Sequence, residues 1–254
     1  MSDGAAGGGV PARLAAVRAE IARHERAHGR EPGSVRLLAV SKTKPAAAIA
    51  AAIAAGQRRF GENYADEAVA KIDALGRTAP DGGPLEWHFV GAVQSRKCRL
   101  LAERFDWVQG VDRDKLVARL ADARDALLQG DPDAGPLNVC VQVNLDAEAS
   151  KAGAAPDAVE ALAQRIAERP ALALRGLMAI PAPREGLAAQ RAAFGRLAAL
   201  RAALARAHPG LDTLSCGMSA DLEAAIAEGA TMVRVGTAIF GARTPRAPDP
   251  ADGA

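Results

Sequence analysis

Short apolar runs alternate with longer helical patterns along almost the whole chain, and the alternation repeats eight times. The runs fall at residues 35–40, 59–61, 87–91, 107–111, 138–145, 174–180, 211–215 and 232–236. Each is too short for a buried helix and carries the Val, Leu, Ile, Phe and Trp content of a strand. Strands separated by helical crossovers pair in parallel, and eight such units close naturally into a barrel. The rival is an open doubly wound sheet, which calls for a Gly-rich fingerprint in the first strand-to-helix turn. That turn reads Ser41-Lys42-Thr43-Lys44-Pro45 and contains no glycine. The pattern therefore predicts an α/β protein with a single (β/α)8 TIM-like barrel, preceded by an extra N-terminal helix over residues 12–28. A chain of 254 residues suits one such unit.

The punctuation agrees. Pro45 opens an Ala-rich helix that stops at Gly56, with proline at the first turn and glycine past the last. Residues 4–9 are all Gly or Ala, and the chain after Arg243 reads T-P-R-A-P-D-P-A-D-G-A. Neither end has the apolar content to pack. The expected organisation is a flexible segment over residues 1–10, one barrel over 11–243 and a disordered tail over 244–254.

Charge and cysteine content narrow the class. The formal net charge is +2 and aromatics make up 3% of the residues, with acidic and basic groups interleaved along the presumed helices. A nucleic-acid binder would gather its basic residues into a stripe with interleaved aromatics, so none is expected. Cys98, Cys140 and Cys216 form no CxxC and lie near no histidine pair in sequence, which predicts reduced thiols and a cytoplasmic protein. His24, His28 and His208 are placed on exposed helix surfaces or ends, and no metal site is expected. No signal-peptide pattern and no span-length apolar run predicts membrane association.

In a barrel of this kind chemistry collects at the C-terminal ends of the strands. Those positions read Ser41-Lys42, Glu62-Asn63, Gly91, Asp112, Asn144, Met178, Ser215 and Gly236-Thr237. Leu38, Val40 and Lys42 share one face of strand one. If that face lines the barrel, Lys42 is its last inward residue. Apolar surroundings there disfavour the ammonium and suit an imine-forming amine. Lys44, directly before Pro45, is expected to point to solvent. Closure sets strand eight beside strand one, and the parity of Met232, Arg234 and Gly236 turns Arg234 inward. A buried guanidinium needs a partner, either a ligand atom or a rim carboxylate such as Glu62 or Asp112. Glycines and hydroxyls after strands seven and eight, in Ser215-Cys216-Gly217-Met218-Ser219 and Gly236-Thr237, suit an anion. Ser219 fits equally as a helix N-cap, and Asn63 either bonds a ligand hydroxyl or caps the next helix. His88, within its strand, reads as a core histidine.

The segments L-L-A-V-S-K-T-K-P, F-G-E-N-Y, W-H-F-V-G, L-R-G-L-M-A-I, L-S-C-G-M-S and M-V-R-V-G-T-A-I-F-G occur in this order. In them the chain resembles the YggS/PROSC family, the pyridoxal phosphate homeostasis proteins. The resemblance implies a monomeric barrel like the N-terminal domain of alanine racemase, of the fold-type III class. It implies pyridoxal 5′-phosphate (PLP) held as a Schiff base on Lys42, with Arg234 at the ring nitrogen and phosphate contacts from Ser215, Gly236 and Thr237. The implied role is PLP carriage in vitamin B6 homeostasis, with apo PLP-dependent enzymes as recipients and no established turnover. The chain departs from the family pattern at Ala92, where the family carries proline, and at Arg96, where it carries asparagine. The alternative is a PLP-dependent amino-acid racemase. Two-base racemisation draws a tyrosine from an added domain in the racemase, whereas the single tyrosine here is Tyr64, early in the chain. The short tail is expected to supply no such domain. An arginine at the ring nitrogen also weakens the ring as an electron sink. The carrier is the expected function.

Overall fold

The computed structural model describes residues 8–148 and 151–242. Eight parallel strands close into a barrel in sequential order: β1 (Arg36–Val40), β2 (Arg59–Glu62), β3 (Glu86–Phe89), β4 (Trp107–Val111), β5 (Leu137–Gln142), β6 (Leu172–Met178), β7 (Thr213–Ser215) and β8 (Met232–Val235). Helix α1 (Val10–Ala27) precedes β1. One helix then follows each strand: α2 (Ala46–Ala54), α3 (Ala65–Leu75), α4 (Cys98–Arg104), α5 (Asp114–Gly130), α6 (Val159–Ala167), α7 (Leu187–Leu204), α8 (Leu222–Ala227) and α9 (Thr237–Phe240). All eight expected strands are present. β5 and β6 each stop short of the ends of the apolar runs that suggested them, because they end where their ladder partners end, and β7 starts later than its run. Of the ends expected to be flexible, residues 1–7 and the tail from 243 lie outside the described residues. Val10 is already helical, the first turn fitted by Pro11.

Helix α2 shows how the local sequence sets a boundary. Pro45 stands before it in extended geometry, and Gly56 follows it at φ 81°, which a side-chain-bearing residue adopts at a cost. Ile49, Ala52 and Ile53 face inward from this helix.

Alternation along each strand divides the interior into two cores. Outward residues such as Leu37, Ala39, Phe60, Trp87 and Phe89 pack beneath the helices. Phe60 and Trp87 are wholly buried there, their rings 5.4 Å apart. Each such side chain contributes about 1.5–3 kcal/mol on leaving water. Inward residues fill the barrel itself, in one cluster of Leu38, Val90 and Met232 and a second of Trp107, Cys140 and Met178. Leu38 and Met232 confirm the inward parity assigned to strands one and eight.

Helix α1 lies across the seam where the barrel closes. Arg13 Nε donates to the carbonyl of Ile239 at 2.7 Å, and Arg30 donates to those of Ile226 and Ala230 at 2.9 and 3.2 Å. Buried Glu25 accepts from the backbone N–H groups of Gly33 and Val35, which fixes the entry into β1.

Between β6 and β7 the sheet admits no side chain at Gly176, where a Cβ would come within 1.7 Å of the Thr213 carbonyl oxygen. Gly176→Ala is expected to destabilise the fold by about 1–3 kcal/mol or more, as overpacking does. Urea unfolding measures it against Gly130→Ala, which meets nothing within 4 Å.

Candidate functional site

The end of β1 is held from outside the barrel. Its continuation, Ser41 to Lys44, turns back on itself with the Lys44 N–H donating to the Ser41 carbonyl at 3.1 Å. Thr43 sits at φ 62°, a costly geometry for a β-branched residue, and its N–H is tied to Glu67 Oε1 at 2.6 Å. Behind the turn, Lys71 Nζ donates to the Ser41 carbonyl at 2.8 Å, Glu62 Oε1 at 2.7 Å and Glu67 Oε1 at 2.6 Å. The Ser41 hydroxyl adds a fourth link to Glu62 Oε1 at 2.6 Å. Burial pushes the Glu62 carboxyl up from its ordinary range, and the Lys71 charge opposes that shift. Glu62 therefore faces away from the barrel lumen, engaged with Lys71, and is no partner for Arg234. Its work is to brace the turn that carries Lys42.

Arg234 enters the lumen from β8. Its Nη1 donates to the Ser215 carbonyl at 2.7 Å and the Ser215 hydroxyl at 3.0 Å, and its Nη2 donates to the Ala179 carbonyl at 3.0 Å. Among the described residues no carboxylate forms an ion pair with it. Asp112, the other rim carboxylate considered, instead accepts from Arg113 and the Gly153 N–H. Burial lowers the Arg234 pKa, against weaker opposing influences from Cys216, Asp221 and Cys140. A guanidinium has five N–H donors, so at least two remain for whatever enters beside it.

A polar chain supports Arg234 from below. The Ser215 hydroxyl donates to Gln109 Oε1 at 2.6 Å, and Gln109 Nε2 lies 3.0 Å from His88 Nδ1. With Nδ1 accepting, the His88 proton sits on Nε2, which lies 3.5 Å from Glu86 Oε2. Burial drives the His88 pKa down and keeps the ring neutral, stacked 5.0 Å from Trp107. His88 is thus a core histidine, as its place in the strand suggested, with a definite tautomer.

Above Arg234 a cavity of about 320 Å³ opens at the C-terminal mouth. Lys42, Asn63, Arg234, Gly236 and Thr237 all line it, so five of the six residues selected from the sequence converge. Ser215 does not. The ladder pairs it with Met232, a layer below Arg234, where it is fully buried and bonded to Arg234 and Gln109. Ser219 lines the cavity in its stead and is not the α8 N-cap, which is Asp221. Lys44 corrects another expectation: it lines the cavity, and its ammonium reaches the Ala242 carbonyl. Ile180 and Met218, both large, apolar and exposed, flank the mouth and were not selected from the sequence. Their signal was present, since each directly follows a strand end or its turn.

The site fits PLP on its own geometry. Gly236 keeps a gap that a side chain would close, its hypothetical Cβ lying 2.9 Å from the Val40 carbonyl oxygen. A buried, uncompensated guanidinium with spare donors suits a ring nitrogen or an anionic oxygen. Lys42 lines the same cavity.

Fold and site together define a small-molecule-binding barrel of the alanine racemase type. The family model "Alanine racemase, N-terminal domain" matches residues 13–244. The chain is 54% identical over 239 residues to the pyridoxal phosphate homeostasis protein of Pseudomonas aeruginosa, covering 94% of this chain and 98% of that one. To its Escherichia coli K12 counterpart it is 51% identical over 230 residues, covering 91% and 95%. Among solved structures it is similar to PipY of Synechococcus elongatus with PLP bound, with a TM-score of 0.76, 38% identity and coverage of 91% and 100%. The alanine racemase of Corynebacterium glutamicum shares the fold at 17% identity and a TM-score of 0.62, over 95% of this chain and 63% of that one. The chain belongs to the alanine racemase N-terminal domain family and, within it, to the pyridoxal phosphate homeostasis proteins.

The brace behind Lys42 is testable. Lys71→Met leaves the Glu62 carboxylate buried without its counter-charge and is expected to cost about 3–5 kcal/mol. Adding Glu62→Gln should recover most of the loss in urea unfolding, because the two residues act as a pair.

Proposed function

We propose that this protein binds PLP through Lys42 and serves vitamin B6 homeostasis as an intracellular carrier of PLP. The observation that carries the reading is Arg234, a buried guanidinium held by two carbonyls and a hydroxyl, facing the cavity that Lys42 also lines. PLP, when bound, supplies an aldehyde for the Lys42 amine, a pyridine nitrogen and a phosphate. The reading puts the nitrogen at Arg234 and the phosphate at Gly236, Thr237 and Ser219, with Asn63 beside the ring. The first-turn N–H groups of α9 and the Thr237 hydroxyl are donors suited to an anion. Names of the Pseudomonas and Escherichia relatives, and the PLP in PipY, support the same ligand and role.

Borohydride reduction of the purified protein followed by peptide mass mapping is expected to find the pyridoxyl adduct on Lys42. Since Lys44 also opens onto the cavity, an adduct mainly on Lys44, with Lys42→Ala still coloured, would reverse the assignment. Thr237→Val is expected to weaken PLP and leave pyridoxal nearly unaffected, at about 1.5–3 kcal/mol for the lost charge-assisted bond.

A second reading, amino-acid racemase, is favoured by one feature, the second lysine at the cavity. Against it, the Lys44 ammonium is engaged by the Ala242 carbonyl, and the single tyrosine, Tyr64, is exposed and not among the cavity-lining residues. Arg234 cannot release its proton, so it keeps a pyridine nitrogen opposite it unprotonated. Incubation with L- or D-alanine, serine and glutamate is expected to give no racemisation above free PLP. Mixing with a PLP-free aminotransferase should restore that enzyme as the carrier's own absorbance declines. Robust racemisation lost in Lys42→Ala would establish the enzyme instead.

A further inference from the structure

Away from the barrel mouth, on the outer face, helices α1 and α8 bring three ligand-type side chains together. His24 and His28 are separated by one helical turn of α1 and share a face. Glu223 lies in the first turn of α8. Its Oε1 is 3.4 Å from His28 Nε2 and its Oε2 is 3.9 Å from His24 Nδ1. One ligand atom from each of the three lies within 4.8 Å of the others. His24 is the informative member. Its residue is 3% exposed, and its Nδ1 is buried with no hydrogen-bond partner, turned toward Glu223. Leaving such an atom unsatisfied is unfavourable, and a neighbouring cation removes that cost.

We propose that His24 Nδ1, His28 Nε2 and the Glu223 carboxylate form a binding site for a zinc-class divalent cation. Two imidazoles and one carboxylate are the ligand set of borderline metals and leave a fourth position for water. Ligand atoms at zinc bond lengths of about 2.0–2.1 Å stand roughly 3.3 Å apart in a tetrahedron. The His28–Glu223 separation already matches. The 3.9 Å from His24 Nδ1 runs to the other carboxylate oxygen, Oε2, so bringing both imidazoles onto one carboxylate takes a movement of the Glu223 side chain, which is 44% exposed. A cleft of about 260 Å³ lined by Glu20, His24 and Glu223 gives the ion access and the water room.

The surrounding groups set the proton balance. Without metal, exposed Arg23 Nη2 lies 2.9 Å from His24 Nε2, so Nε2 accepts and the ring proton sits on Nδ1. Metal on Nδ1 moves that proton to Nε2 with no net release, and Arg23 turns out to solvent. Glu20 Oε1, now 3.8 Å from Nε2, then accepts the transferred N–H, forming a carboxylate–histidine–metal arrangement. Gln190 and Asp221 also border the cleft, and neither supplies a ligand atom to the triad. The bound ion would clip α1 to α8, whose preceding turn, with Met218, Ser219 and Ala220, forms a wall of the barrel-mouth cavity.

The test uses tag-free full-length protein and the metal alone. Equilibrium dialysis with Zn²⁺ is expected to load one ion per chain, and Co²⁺ should show the visible bands of a four- or five-coordinate site. The cysteines are buried and do not compete in the folded protein. Glu20→Gln should weaken Zn²⁺ about tenfold, and His28→Ala and Glu223→Gln by more. These two replace partly exposed side chains outside the barrel-mouth cavity, so folding and the absorbance of the bound cofactor should be unchanged. Zn²⁺ should raise the melting temperature of the parent protein and of neither variant. The proposal is overturned if tag-free protein takes up no Zn²⁺, or if both variants bind and are stabilised as the parent is.

Discussion

The ladder between β8 and β1 is the join on which the rest of this structure depends. It pairs Leu38 with Arg234 and Ala39 with Val235, so Leu38 and Arg234, from opposite ends of the chain, stand side by side in the lumen. Without closure, Arg234 would be a cation on an exposed sheet edge, and Lys42 would end an unremarkable strand. With closure, the guanidinium is sealed between β7, β8 and the end of β6, and Lys42 lines the cavity above it. Helix α1 and the segment that leads from it into β1 cover this seam with three arginine-to-carbonyl bonds, one from Arg13 and two from Arg30, which explains why a barrel needs a helix ahead of its first strand here.

The two charged groups of the site are stabilised in opposite ways. Lys42 rides on a turn whose underside is a buried ion-pair network, so the constraint comes from outside the barrel. Arg234 is held inside, by carbonyls and by a chain of neutral side chains running down to His88. For Arg234, no carboxylate among the described residues takes up the charge of the guanidinium. An arginine neutralised by a protein carboxylate would have to break that pair before meeting a ligand, at a cost of several kcal/mol in a dry site.

Much of this was legible in the sequence because strand parity is a strict rule. Eight apolar runs and the absence of glycine in the first turn were enough for the barrel. Parity then placed Lys42, Arg234 and Gly236 on the inner face. Ser215 was misplaced because parity says which face a residue takes and nothing about its height along the barrel axis. The register, Ser215 opposite Met232, sets it one layer lower. Lys44 was misread because the chain after β8 folds back over the first turn and offers the Ala242 carbonyl. Glu62 was read as a rim carboxylate, since its partner Lys71 reaches it only once α3 has packed against the barrel. His24 looked exposed for a similar reason: α8, which covers it, lies nearly two hundred residues downstream.

The cavity is uneven in its wetness, and that shapes how anything inside it can leave. Its floor, at Arg234, is buried, while Ser219 and Thr237 at the rim are open to solvent. A ligand reaching from floor to rim has one end that water cannot visit and one that water bathes continually. Dissociation under such a gradient is directional, like peeling from one edge: solvent competes first for the rim contacts, and the deep contacts yield only afterwards. Retention is then governed by the floor and the rate of handover by the rim, so the two can be tuned by separate residues.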